Sequence, residues 1–366
     1  MTFAILSRPE LREYNFGSGH PFEGDRYQIF PRFLRENFPE DNNYRILPAE
    51  PATDDDLLLI CRKEYIEFTK EFYRAANLGL ISTEHFSRFQ SGDNLPSSHP
   101  GKLEEAARLV VGQAKLAADL IQSNQFQKAV SIGGGLHHAK RAYGEGFCLY
   151  NDVAFCALYL LEKYHLERIL ILDTDAHAGN GTMEYFYEEP RVLFIDLHQD
   201  PRTIYPGVGF AHEIGSGRGK GFTINIPLPV YAGDESYRLA FETIVEPVTR
   251  EFKPQIIIRN GGSDPHFADG LTNLGLSLEG FKMIGGKVRK MAEICQDKAI
   301  DLIASGYNEK VLPYGWLALI SGLAGIELDL KEPIPPRFQT ESSLTATQKI
   351  IAEVKTHLNS YWQCLR

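Results

Sequence analysis

"ILILDTDAHAGNG", residues 169–181, is an apolar run that ends in two carboxylates and an imidazole and closes in a glycine-rich turn. Ile169, Leu170, Ile171 and Leu172 are apolar without alternation. That pattern predicts a strand buried on both faces, as in a parallel sheet covered by helices. Ligands of such sheets bind beyond the carboxyl ends of the strands, where Asp173, Asp175 and His177 stand. In extended backbone, residues two apart face the same way. The three side chains then line one surface, with Thr174 and Ala176 on the other.

The same pattern recurs along the chain. Short runs rich in Ile, Val and Leu stand at 56–61, 129–135, 168–173, 191–196, 222–228, 255–260 and 301–306. Apolar residues at helical spacing mark 103–122, 152–165, 234–252 and 278–295. Strands alternating with helices predict an α/β fold, with a mostly parallel central sheet and helices on both faces. Loops are expected at 15–26, 91–101, 199–220 and 331–342. The first three carry histidine, aspartate or aromatic residues beyond what a plain connection needs.

The 366 residues suffice for a large core, and 43% hydrophobic with 23% charged residues is the balance of a folded globular protein. A net charge of −10 without a Lys/Arg block argues against a nucleic-acid groove. Five cysteines, an odd number with no CxxC pair, argue against a disulfide framework and against a thiolate zinc site. The first residues lack a basic stretch followed by a long apolar one, and no window reaches the roughly 18 apolar residues of a membrane span. A reducing, cytoplasmic setting is expected.

Polar groups follow five of the expected strands. His137 and His138 follow 129–132; Asp173, Asp175 and His177 follow 168–172; Asp196 and His198 follow 191–195; Asp264 and Asp269 follow 255–259; Tyr307 follows 301–304. Singly, each has an ordinary explanation, since an aspartate after a strand is usually a turn or cap residue. Converging on one sheet edge, they resemble a metal site with a general base. Such oxygen and nitrogen donors suit Zn²⁺, Fe²⁺ or Mn²⁺. Catalytic zinc takes about three protein ligands plus water. Asp175 and His177 supply two, and Asp264 can supply the third. A third aspartate would over-neutralise the ion, so Asp173 is read as a support that orients a histidine.

Six motifs, in order and spacing, resemble the zinc-dependent histone deacetylase family: "GGLHHA" (134–139), "GFCLYND" (146–152), "DTDAHAGNGT" (173–182), "YPGVG" (205–209), "GGSDPHFADGLTNLGLS" (261–277) and "SGYN" (305–308). The family includes bacterial and archaeal members such as acetoin-utilisation proteins and acetylpolyamine amidohydrolases. The resemblance runs from about residue 20 to about residue 325. It implies a single arginase-like α/β domain over residues 1–366, with no chemistry assigned from about 331 onward.

The resemblance also implies roles. Asp175, His177 and Asp264 would bind Zn²⁺, a ligand set that admits Fe²⁺ as well. His138 would carry the proton, with His137 as its electrostatic partner, and Asp173 and Asn180 would hydrogen-bond His137 and His138 respectively. Tyr307 would polarise the substrate carbonyl. Gly146, Phe147 and Tyr205 would line a narrow channel for the acyl chain, and Asp93 would grip the substrate at the rim, from a turn one residue longer than usual. Asp173, Asp175 and His177, with the Asp196–Leu197 segment, resemble the family's site for a monovalent cation, K⁺ or Na⁺. The implied substrate is an acetylated peptide or a small acetylated amine; neither nucleic acid nor membrane is an expected partner.

Two departures bear on the pocket floor. Ala178 stands where many members have a second histidine, and Ala304-Ser305-Gly306 precedes the tyrosine where three glycines are common. Two rival readings are weaker. Binuclear manganese ureohydrolases of this fold read "DAHAD", whereas Gly179 here supplies no side-chain ligand to a second metal. An inactive module that only binds acyl-lysine would be expected to lack a ligand or the tyrosine.

Overall fold

The structure, a computed structural model, describes residues 3–38, 40, 43–336 and 342–366. Eight strands, β1 (Phe3–Leu6), β2 (Tyr44–Leu47), β3 (Lys128–Ile132), β4 (Ile169–Asp173), β5 (Val192–Gln199), β6 (Thr223–Leu228), β7 (Ile256–Asn260) and β8 (Ala299–Ile303), form one sheet. Their order is β2-β1-β3-β8-β7-β4-β5-β6. The strands run parallel and helices flank the sheet, giving the α/β class that the apolar runs predict. β1 and β4 through β8 are buried at every position, which is why these runs do not alternate.

Packing divides the chain into two compact units, Met1–His165 with Leu302–Ala304, and Leu166–Asp301 with Ser305–Arg366. In the first, β1 pairs in parallel with both β2 and β3. The helix Leu103–Gln122 has the bounds its periodicity predicts. The helix Asp152–Lys163 starts at Asn151, whose side chain accepts from the Ala154 N–H at 2.8 Å.

In the second unit, β4 lies between β7 and β5, and β6 pairs on the far side of β5. The register sets Asn260 and Asp173, the last residues of β7 and β4, beside Asp196 within β5. The expected helix at 234–252 runs unbroken, as Asp234–Ala240, a π-helical turn at Phe241–Val245, and Glu246–Phe252. The helix Leu278–Ala292 is capped by Ser277. Near the chain end, the helix Leu344–Leu358 packs against β6, and Trp362 Nε1 donates to Gly221 O at 2.8 Å. Residues 337–341 of the loop expected at 331–342 lie outside the described residues.

One expected strand is not a strand. Residues 56–61 lie in a short helix, Asp54–Leu57, and the turn that follows it. Thr53 and Asp56 form a reciprocal capping box, which satisfies helix N–H groups that a strand would leave for a neighbour. Leu57, Ile60 and Cys61 are buried while Leu58 is 48% exposed, which is helical rather than extended spacing. The missing strands are β1 and β2, four residues each and too short to show a period. The last expected strand, 301–306, begins and ends earlier, at Ala299–Ile303. Among the described residues no helix is long and apolar enough to cross a membrane.

The turn after β7 is tightly packed. A Cβ on Gly262 would lie 2.1 Å from the Ser305 carbonyl oxygen, and the Ser263 N–H donates to that oxygen at 2.9 Å. Gly262→Ala must separate two fixed backbones, so a loss of about 1–3 kcal/mol is expected. Thermal unfolding measures it, and an unchanged midpoint would contradict the packing described.

Candidate active site

The sequence delivers Asp175 and His177 just past β4, and Asp264 just past β7. Their ligand atoms all lie within 4.8 Å of one another. His177 Nδ1 is 3.1 Å from Asp175 Oδ1 and 3.1 Å from Asp264 Oδ2. The His177 backbone N–H donates to Asp175 Oδ1 at 2.8 Å, and Ser305 Oγ donates to Asp264 Oδ1 at 2.6 Å. Asp173 is fully buried behind them; it accepts from the Asp175 N–H at 3.1 Å and from Asn260 Nδ2 at 2.9 Å.

Two buried carboxylates this close repel each other. Burial first, and then the charge of Asp175, raise the Asp264 pKa to about 7 against the pull of His177. Burial works against a charged His177, but the hydrogen bonds and charges of Asp175 and Asp264 outweigh it and raise its pKa to about 10. The pocket therefore holds excess negative charge that a proton or a divalent cation relieves. Two carboxylates and one imidazole fit a zinc-type ion.

Tyr307 joins this group through a second loop. Its ring stands edge-on to His177, with centroids 6.5 Å apart, and its backbone N–H donates to Asp269 Oδ2 at 2.7 Å. Asp269 and Asp264 belong to one loop, tethered at its middle. His266 Nε2 meets Glu332 Oε2 at 3.1 Å, and the other oxygen of Glu332 accepts from the Leu278 N–H at 2.7 Å. The carboxyl-terminal stretch thus supports a site loop, a role the sequence does not announce.

In the first unit, His137 and His138 are both buried, with Nε2 atoms 3.1 Å apart. At that distance one ring donates and the other accepts, so a single proton lies between them. Asp152 accepts from the Gly135 N–H through both oxygens and from the Leu136 N–H at 2.7 Å. Burial raises its pKa to about 6, with those same bonds acting in opposition. Asn151 Nδ2 donates to His137 O and Ala139 O, at 3.1 and 3.0 Å. The "ND" of the "GFCLYND" motif is therefore the cradle of the histidine loop. Sequence reading leaves it without a role, although it closes one of the six motifs and stands at an expected helix start.

Gly146 has a positive φ of 60°, and a Cβ there would fall 2.3 Å from Cδ2 of His138, so only glycine fits. Its N–H donates to Asp93 Oδ2 at 2.9 Å. Phe147 follows, partly exposed. Gly146 thus brings Asp93 and His138 next to the segment that carries Phe147. Tyr205, 41% exposed, precedes a cis peptide bond to Pro206, and Asn180 begins the helix Asn180–Phe186.

A model of the histone deacetylase domain matches residues 20–323 of this chain. The chain belongs to the histone deacetylase family. Membership makes it a hydrolase. Over its full length this deacetylase is 35% identical to a probable deacetylase of Archaeoglobus fulgidus, covering all of both chains. It is 34% identical to the acetoin utilization protein AcuC of Staphylococcus xylosus, covering 92% of this chain and 86% of that one. Among solved structures, the HDA15 HD domain superposes with a TM-score of 0.83 at 24% identity, covering 100% of this deacetylase and 97% of that chain, a likeness of fold.

The raised pKa values carry a sign. Both groups hold protons more tightly in the folded state than when unfolded, so their contribution is full in acid and is lost as the pH rises. For Asp264 the loss falls between 3.8 and about 7, and for His177 between 6.5 and about 10. Metal-free deacetylase should therefore melt at progressively lower temperature from mildly acidic to alkaline pH, with a shallower decline in Asp264→Asn. Added zinc should raise the melting temperature most at the alkaline end. Scanning calorimetry across pH tests this, and a melting temperature independent of pH in the metal-free protein contradicts it.

Proposed function

We propose that this deacetylase hydrolyses the amide of N-acetyl-lysine, or of a related N-acylated amine, using zinc held by Asp175, His177 and Asp264. The observation that carries the reading is the convergence of these three donors on one point beside Tyr307. Zinc bound there would lower the pKa of water and draw electron density from a carbonyl.

The remaining chemistry belongs to side chains. His138 would take a proton from the attacking water and return it to the departing amine. His137, sharing a proton with it, would supply electrostatic support. Asp173 and Asn180 would orient these two rings. The Tyr307 hydroxyl would donate to the carbonyl oxygen as that oxygen becomes negative. Gly146, Phe147 and Tyr205 would line the path of the acyl chain, where aromatic walls suit methylenes and keep water from the reacting carbon. Asp93 would hold the substrate's backbone or amine, and a K⁺ or Na⁺ ion would sit near Asp173.

The experiment that tests this is a turnover panel of acetyl-lysine peptide, acetylpolyamines and longer acyl-lysines, with metal analysis of the same sample. One zinc per chain and turnover of at least one acetylated amine are expected; two metals per chain, or no hydrolysis across the panel, would contradict the reading. Asp264→Ala should abolish metal loading while the sheet remains folded.

Tyr307→Phe keeps the ring and removes one donor. The expected loss is in kcat, by roughly 10²–10³, with KM, metal content and melting temperature near those of the parent. A tyrosine kept for packing predicts the reverse pattern, normal turnover with lower stability.

A further inference from the structure

We propose that His20 is a positioning residue that sets which acyl groups the deacetylase accepts, by clasping the Phe147 ring to the Asp93 turn; the proposal rests on the reading that Phe147 lines the substrate's path. His20 Nε2 lies 2.9 Å from Asp93 O, and the Phe22 N–H lies 3.0 Å from His20 Nδ1. A carbonyl only accepts and a backbone N–H only donates. Nε2 therefore carries the hydrogen and Nδ1 is bare, so both ring nitrogens are used and the ring is neutral.

The imidazole stacks on Phe16, with centroids 4.4 Å apart, and meets Phe147 edge to face at 4.6 Å. Phe147 is itself held in an uncommon backbone conformation, with φ of 63°, and its carbonyl accepts from the Tyr14 hydroxyl at 2.6 Å. Asp93 closes the circuit. Its carboxylate accepts from the Gly146 N–H at 2.9 Å on one oxygen and from the Ser91 hydroxyl on the other. Three segments far apart in sequence, around residues 20, 93 and 147, are thus linked in a ring of contacts, with His20 as the member that touches the other two.

The clasp works only with a neutral imidazole. A second proton would go to Nδ1 and point at the Phe22 N–H, replacing an attraction by a repulsion. Burial disfavours that proton, and the charge of Arg26 acts in the same sense, while Asp93 and the two backbone contacts oppose them; the pKa lies below its ordinary value. The charged side chains acting on the ring are Asp93 and Arg26. Acid that protonates Nδ1 is therefore expected to loosen the Phe147 wall.

His20→Phe keeps the ring packing and removes both hydrogen bonds. Assayed as the zinc-loaded full chain on acetyl-lysine peptide, it should raise KM by about tenfold and leave kcat nearly unchanged. Its preference among acetyl-, propionyl- and butyryl-lysine should shift in the direction that Phe147→Ala shifts it. The acid-side rise in KM of the parent should be absent. His20→Gln, which retains a donor for Asp93 O, should recover part of the loss even if the Phe variant folds poorly. Side-chain ¹⁵N NMR of the parent needs no substrate and should show His20 as the neutral Nε2–H form down to pH values below 6.5. An altered KM and acyl preference in Phe147→Ala with none in His20→Phe overturns the clasp. No effect in Phe147→Ala overturns the channel reading beneath it. A His20 ring that titrates at 6.5 or above overturns the clasp without any turnover measurement.

Discussion

Two carboxylates compete for one imidazole nitrogen. Asp175 and Asp264 each approach His177 Nδ1 to 3.1 Å, in a place where little water reaches. Like charges so close and so buried are unfavourable unless something positive shares the space. The surrounding chain is built to hold that arrangement. The backbone N–H of His177 holds the Asp175 carboxylate, the hydroxyl of Ser305 holds that of Asp264, Asp173 accepts from the Asp175 N–H, and the β7–β4–β5 register fixes the strands that precede them. The energetic debt of the site is local, while its support is spread through the fold.

That support has a consistent form: one polar side chain joins two backbone segments. Asn260 reaches Asp173, Asp269 holds the Tyr307 amide, Asp152 holds the Gly135 and Leu136 amides, and Asp93 holds the Gly146 amide. Loops positioned this way keep the accuracy of strands while leaving their side chains available. A buried Arg259–Asp301 pair between β7 and β8 extends the same principle into the sheet. It is retained at the cost of desolvating two charges.

How far the chain can be read in advance follows from the range of each signal. β4, β5, β6 and β7 were legible because complete burial writes itself as an unbroken apolar run, and the helix at 103–122 because twenty residues show their period. The donors Asp175, His177 and Asp264 were legible because they follow such runs directly and share motif spacing. Residues 56–61 misled because a short helix with a buried stripe has the same letters as a strand; the Thr53–Asp56 cap was the distinguishing mark. Asp152 and His20 act by holding backbone from a distance, and nothing local distinguishes such an aspartate or histidine from a turn residue. Glu332 was illegible for a further reason: its partners, His266 and Leu278, lie in other elements, and only folding brings them near.

The Glu332 tether also gives the molecule a history. A ribosome releases the chain amino end first, and segments fold as they emerge. The loop bearing Asp264 is synthesised before the residue that pins its centre. Until Glu332 arrives, the His266 ring and the first amide of the following helix lack the acceptor they share in the finished fold. A nascent chain can therefore possess every donor of the site while the loop that carries one of them is still loosely held. The hold on that loop depends on a residue synthesised after it rather than on the residues that would do the chemistry.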